Sequence, residues 1–195
     1  MLICAHRVND PRALADLDPE FGVEIDLRSW GDRLILEHDA FLGGPDFEDW
    51  LDAYRHAFIV VNIKEEGLEE RITAALDVRG ITRWAFLDES FPFLVKTLRR
   101  GDTRTMVRIS EYESVETALA LAPRPDWIWV DSFTGEWPRP EALRRLADVG
   151  FAFMIVSPEL QQRSPEPEIE GIRAAFAAAG VPIDGVCTKR PDLWR

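Results

Sequence analysis

Cysteine is scarce: Cys4 and Cys187 are the only two among 195 residues. Two thiols that far apart provide neither a disulfide framework nor a four-ligand zinc site, and both read as small buried side chains. Long apolar runs are missing too. The first, residues 2–5, is too short for a signal-peptide core, and no later one approaches a membrane span, so a cytoplasmic address is expected. Basic residues are in deficit, 23 Lys and Arg against 35 Asp and Glu, for a net charge of −12. A body of that sign repels nucleic acid and anionic membranes unless a basic patch overrides it, and the sequence holds none. No Gly-x-Gly-x-x-Gly follows an apolar run, which removes the dinucleotide-binding fingerprint. Internal repeats and low-complexity segments are absent as well.

What is present is a regular alternation of short β-like runs and helix-like segments. With 46% hydrophobic residues, it reads as one compact domain over 1–195. Strands are expected at 2–5, 23–27, 58–63, 84–87, 105–109, 127–130, 151–155 and 185–187. Apolar residues at three- and four-residue intervals mark helices at 47–55, 68–77, 91–100, 115–122, 140–149 and 166–179. A short helix is expected within 10–17, a brief extra strand at 33–37, and a loop at Ser164-Pro165-Glu166-Pro167. Eight strands alternating with helices favour a compact (β/α)8 TIM barrel over an open doubly wound sheet.

In such a barrel, catalytic groups belong at the carboxyl ends of the strands, and polar residues recur there. His6 and Arg7 follow the first apolar run, and His38 follows Leu34-Ile35-Leu36 by one residue. Two imidazoles at strand exits suit an acid/base pair, because their pKa lies near neutrality. Glu24 and Asp26 are two apart on one strand, so both leave the same face, an arrangement that suits a hard divalent cation. Asn62 and Lys64 repeat that spacing on the next strand, where the Asn62 carbonyl would complete an oxygen site for Mg²⁺ or Ca²⁺. Arg7 and Lys64 are the candidates for holding phosphate oxygens. Arg108, Glu111 and Lys189, also at strand exits, are candidate substrate contacts. His56, within a helical segment, reads as structural.

Taken in this order and spacing, His6-Arg7, Glu24-x-Asp26, His38-Asp39 and Ile63-Lys64 resemble the glycerophosphodiester phosphodiesterase family, within the wider group of phospholipase C-like (β/α)8 phosphodiesterases. The strong part of the resemblance covers the first third of the chain. The rest matches in its β/α rhythm and in the strand-like VCTK at 186–189. The resemblance implies a phosphoric diester hydrolase in which His6 and His38 act as general base and acid. It further implies that Glu24 and Asp26 bind the divalent metal and that Arg7 and Lys64 contact the phosphate. The expected partner is a small-molecule or glycan phosphodiester, such as a glycerophosphodiester or a sugar or polyol phosphodiester.

The chain departs from the family pattern in three places. Val8 stands where a glycine usually follows His-Arg, and the Glu-Asn-Thr segment after it is absent. Asn62 replaces the third-strand carboxylate. The insertion after the second histidine is missing, so Gly43-Gly44-Pro45-Asp46 leads almost directly into a helix, leaving a site that is open or is completed by a second subunit in a homo-oligomer. Two other classes stay open from the residues alone. One is a catalytically idle binding protein for a phosphorylated sugar or polyol. The other is a metal-dependent barrel isomerase or aldolase, with Lys64 and Lys189 as its only plausible Schiff-base lysines.

Overall fold

The computed structural model describes residues 1–195. Its elements follow in the order β1 (Leu2–Ala5), α1 (Pro11–Asp16), β2 (Gly22–Trp30), β3 (Arg33–Leu36), α2 (Phe47–Ala53), β4 (Ile59–Ile63), α3 (Glu69–Val78) and β5 (Trp84–Leu87). They continue with α4 (Phe91–Arg99), β6 (Met106–Ile109), α5 (Val115–Leu119), β7 (Trp127–Val130), α6 (Pro140–Asp148), β8 (Ala152–Val156), α7 (Pro165–Ala179) and β9 (Gly185–Thr188).

Eight strands run parallel in the order β5-β4-β2-β1-β9-β8-β7-β6. The two ends of that order meet at a thin seam. There the Phe86 N–H donates to the Arg104 carbonyl at 2.9 Å, and Phe86 pairs with Thr105 in a single parallel bridge. The result is a nearly closed (β/α)8 barrel. β3 is the ninth strand and lies off this path, antiparallel to β2. Gly31 turns that hairpin at φ +65°, in the left-handed region that suits glycine. The pairing explains why β2 reaches Trp30 instead of stopping at residue 27: a strand continues as long as a neighbour satisfies its backbone groups.

Helix starts follow the local chemistry. Asp10, Asp46 and Ser114 accept hydrogen bonds from first-turn N–H groups of α1, α2 and α5. Pro165 begins α7, so the residues expected to form a loop at 164–167 are instead a cap and a first turn, where proline's fixed φ and missing donor cost nothing. α5 spans only five residues, shorter than the expected 115–122.

Residue parity along the strands builds the layers. Cys4, Val60, Ala85, Leu87, Met106, Trp129, Met154, Val156 and Cys187 fill the barrel interior. Alternate residues face outward under the helices: Ile25, Val61 and Phe86 with Phe47, Trp50 and Ile72 on one side, and Ile128, Phe153 and Ile155 with Leu143, Ile172 and Phe176 on the other. Both cysteines are buried and free, as their sequence context indicates. His56 lies beyond the end of α2 and not within a helix as expected, its Nε2 3.1 Å from the Leu17 carbonyl oxygen.

The segment that follows β3 and carries His38 returns to β3 at Pro45, whose carbonyl accepts from the Leu36 N–H at 2.9 Å. Gly44 makes this close return feasible, because a Cβ there would lie 2.2 Å from the Leu36 carbonyl oxygen. Backbone cannot yield as a side-chain tip can. Gly44→Ala is therefore expected to cost about 1–3 kcal/mol or more, read as a lower urea midpoint, whereas an unchanged midpoint would mean that the return is loose.

Candidate active site

Register brings the first three barrel strands in spatial sequence, β1, β2 and β4, into one polar patch. Asp26 sits opposite Asn62, Lys64 donates its N–H to the Leu27 carbonyl, and Val8 donates its N–H to that of Glu24. The strand exits of β1 and β4 therefore flank the two carboxylates of β2. Arg7 adopts φ +56°, uncommon for a residue with a Cβ. In this conformation its backbone N–H donates to Glu24 Oε2 at 2.8 Å, while its guanidinium Nε lies 3.2 Å from Asp26 Oδ2.

Asp26 and Glu24 are each only 1% exposed. Buried carboxylates need partners, and every oxygen has one. Lys64 Nζ lies 3.1 Å from Asp26 Oδ1, and the Asn9 amide donates to Asp26 Oδ2 at 3.0 Å. Asn9 Oδ1 accepts from the Asp26 N–H in return. The Asn62 amide nitrogen donates to Glu24 Oε1 at 3.0 Å, and His6 Nε2 lies 3.7 Å from Glu24 Oε2. Two side-chain atoms here are buried without partners: Asn62 Oδ1 and His6 Nδ1.

The charges act on one another. Burial, reinforced by the nearby Arg7 and Lys189 cations, lowers the His6 pKa from 6.5 to about 4, so its imidazole is neutral at pH 7. Burial and the neighbouring Asp26 carboxylate push Glu24 above the ordinary carboxyl range. His38 is oriented by Asp39, whose Oδ1 lies 2.7 Å from Nδ1, and this contact holds the Asp39 carboxyl below its usual value. Nε2 of His38 is thereby left for other contacts.

One guanidinium joins the second histidine to the cluster. Arg28 donates from Nε and Nη2 to the His38 carbonyl, at 3.2 and 2.9 Å, and from Nη1 to the Lys64 carbonyl at 3.2 Å. The carboxylates of β2 thus have no need of Arg28 as a partner. Asn9 does not stand out in the sequence, and Arg28 reads there only as one of the polar residues at strand exits; no spacing rule reveals the bonds that either makes.

Of the other candidate contacts, Lys189 is exposed and near enough for its charge to bear on His6. Arg108 and Glu111 each have partners within the chain. Arg108, on β6 across the barrel, is bound to Asp88 and Asp131, with Glu113 3.6 Å away. Glu111 accepts from Ser132 Oγ, the Phe133 N–H and both donors of Thr134. These two side chains tie together the loops above β6 and β7, Arg108 through ion pairs and Glu111 through hydrogen bonds to 132–134. A cavity of about 550 Å³ lies elsewhere, between α4 and α5, and its wall is mainly apolar, including Phe91, Val95, Leu98 and Leu121.

A hard divalent cation takes six or more oxygens. Glu24, Asp26 and Asn62 do come together as the spacing predicts, yet their donor set does not fit such an ion. Lys64 and Arg7 neutralise Asp26, Asn62 presents its N–H₂ to Glu24, and no three His, Cys, Asp or Glu side chains are grouped to hold a metal.

Asp26 is the partner on which both cations depend. Asp26→Asn is expected to destabilise the fold by about 3 kcal/mol, since Lys64 would keep its charge in a largely buried position. Adding Lys64→Met should recover about 1–3 kcal/mol of that loss. Additive effects in a denaturation double-mutant cycle would show that the pair is not coupled.

No family model and no curated protein matches the sequence. Solved structures do match in shape. A protein assigned as a glycerophosphodiester phosphodiesterase from Galdieria sulphuraria superposes with TM-score 0.72 at 14% identity, over 98% of this chain and 94% of that one. A glycerophosphodiester phosphodiesterase from Agrobacterium tumefaciens gives 0.68 at 15% identity, over 99% and 98%. A glycerophosphoryl diester phosphodiesterase from Parabacteroides distasonis gives 0.64 at 14% identity, over 97% and 83%. Across nearly its whole length, the chain has the barrel fold of these proteins.

Proposed function

We propose that the protein is a phosphoric diester hydrolase acting on a glycerophosphodiester or a sugar or polyol phosphodiester. The observation that carries this reading is the convergence of two cations, Arg7 and Lys64, on one buried carboxylate beside a neutral histidine, at the carboxyl end of a barrel shared with glycerophosphodiester phosphodiesterases. Arg7 is 44% exposed at its side chain and can offer remaining donors to a phosphoryl group while Asp26 holds it. Lys64 and Arg7 would stabilise the charge that builds on the phosphoryl oxygens. Lys189 would add a third cation.

In the proposed sequence, neutral His6 takes the proton of a substrate hydroxyl next to the phosphate. The freed oxygen attacks phosphorus, and His38 gives its proton to the departing alkoxide. Water then opens the cyclic phosphate: His38, now neutral, accepts the proton of water, and His6 returns its proton to the sugar or glycerol oxygen. Asp39 keeps the His38 ring aimed throughout. Mg²⁺ or Ca²⁺, implied by the resemblance, has no step here, because the donor set does not fit it.

A second reading, binding of a phosphorylated sugar or polyol without turnover, is favoured by the fact that Glu24 and Asp26 are already satisfied by the chain's own donors. No helix is long and apolar enough to cross a membrane. The expected location is cytoplasmic, and the site is either open to a bulky substrate or completed by a second copy.

Against a panel of phosphodiesters, His6→Ala and His38→Ala should each lower kcat by about 10²–10⁴. Parent-like rates in both variants would remove the acid/base pair, and phosphate-ester binding with no turnover by the parent would favour the second reading. The pH profile is a separate check. The base must be neutral and its pKa is depressed, so kcat/KM should hold below 6.5 and fall only as pH drops through about 4. The unfolded imidazole binds its proton near 6.5, so His6 also weakens the fold progressively between those values. Activity that already falls as pH drops through 6.5 would mean that His6 is not the buried base; a fall on the alkaline side would instead report loss of the proton that the general acid must carry.

A further inference from the structure

We infer that this chain carries out its phosphoryl chemistry without a divalent cation, the Lys64 ammonium standing in the cation's place against Asp26. The catalytic half of this inference rests on the phosphodiesterase reading; the binding half does not. A cation site requires oxygens that are free to turn toward the ion. Here Glu24 Oε1 accepts from Asn62 Nδ2 at 3.0 Å and Glu24 Oε2 from the Arg7 N–H at 2.8 Å. Asp26 Oδ1 faces Lys64 Nζ at 3.1 Å, and Asp26 Oδ2 faces Arg7 Nε at 3.2 Å and the Asn9 amide at 3.0 Å.

Charge points the same way. Two carboxylates and two cations make the cluster neutral before any ligand arrives. A phosphodiester anion can then share Lys64 and Arg7, whereas a divalent ion would have to settle beside an ammonium held 3.1 Å from the same carboxylate. Asn62 is the decisive residue. A carboxylate at this position would face Glu24 as a like charge and require a cation between them; an amide donates to Glu24 and removes that need. Its second atom, Oδ1, is buried and unpartnered, and one neutral carbonyl oxygen suits a hydroxyl donor, such as the hydroxyl next to the substrate phosphate.

The test is a calorimetric titration of metal-stripped parent protein with Mg²⁺ and with Ca²⁺, repeated on Asn62→Glu, beside turnover of the phosphodiester panel in chelator. Parent protein should show no saturable binding below about 1 mM. Its turnover should be unchanged by chelator, and Asn62→Glu should gain measurable binding of at least one of the two ions. Lys64→Gln should lose turnover that added Mg²⁺ or Ca²⁺ does not restore. Saturable parent binding below about 1 mM that disappears in Glu24→Gln, or chelator-abolished turnover that metal restores, would overturn the inference. The parent titration does not depend on Asn62→Glu and so remains decisive if that variant does not fold. If the parent cleaves no diester with or without metal, the hydrolase reading falls, and the titration alone decides whether the cluster excludes the ion.

Discussion

The Asp26 carboxylate receives an ammonium on one oxygen and a guanidinium on the other while itself 1% exposed, and the rest of the site is arranged to make that burial tolerable. Desolvating two or three charges costs several kcal/mol per ion, recovered only with good geometry and further hydrogen bonds. Asn9 supplies those bonds on one flank and Asn62, through Glu24, on the other. The same cluster tunes His6. Its neutrality follows from burial beside cations, so the groups that would hold the phosphate also keep this imidazole unprotonated.

Barrel geometry makes this cluster easy to assemble. Parallel neighbours in register set Asp26 beside Asn62, and the period of two along a strand puts Glu24 and Asp26 on one face above an apolar floor that includes Cys4, Val60 and Cys187. The hairpin formed by β2 and β3 then brings His38 back to the same mouth, and Arg28 fixes it to β4 by binding two carbonyls. Arg28 and Asp39 hold His38, and Glu24 lies beside His6.

Much of this was legible in the residues, because the signals are local. Apolar runs of four or five residues, proline and glycine at helix ends, and two acidic residues two apart on a strand each have a direct structural consequence. The β3 hairpin and the gathering of His6, Arg7, Glu24, Asp26, Asn62 and Lys64 follow from such patterns. What the sequence could not display was pairing between distant residues. Arg108 and Glu111 sit at strand exits just as Arg7 and Lys64 do, and nothing in the sequence points to the partners that hold them, Asp88 and Asp131 for one and the 132–134 loop for the other. Likewise, Glu24, Asp26 and Asn62 read as three oxygen ligands until the Asn62 amide and the two cations are seen to occupy the carboxylates.

The most direct measurement is a crystal structure of the protein with a non-hydrolysable phosphodiester bound in the presence of Mg²⁺. The predicted result is a phosphoryl group whose oxygens accept from Lys64 Nζ and the Arg7 guanidinium, next to His6, with no ion on Glu24 or Asp26. A Mg²⁺ bridging Glu24, Asp26 and the phosphoryl oxygens, with Lys64 displaced from Asp26, would contradict it.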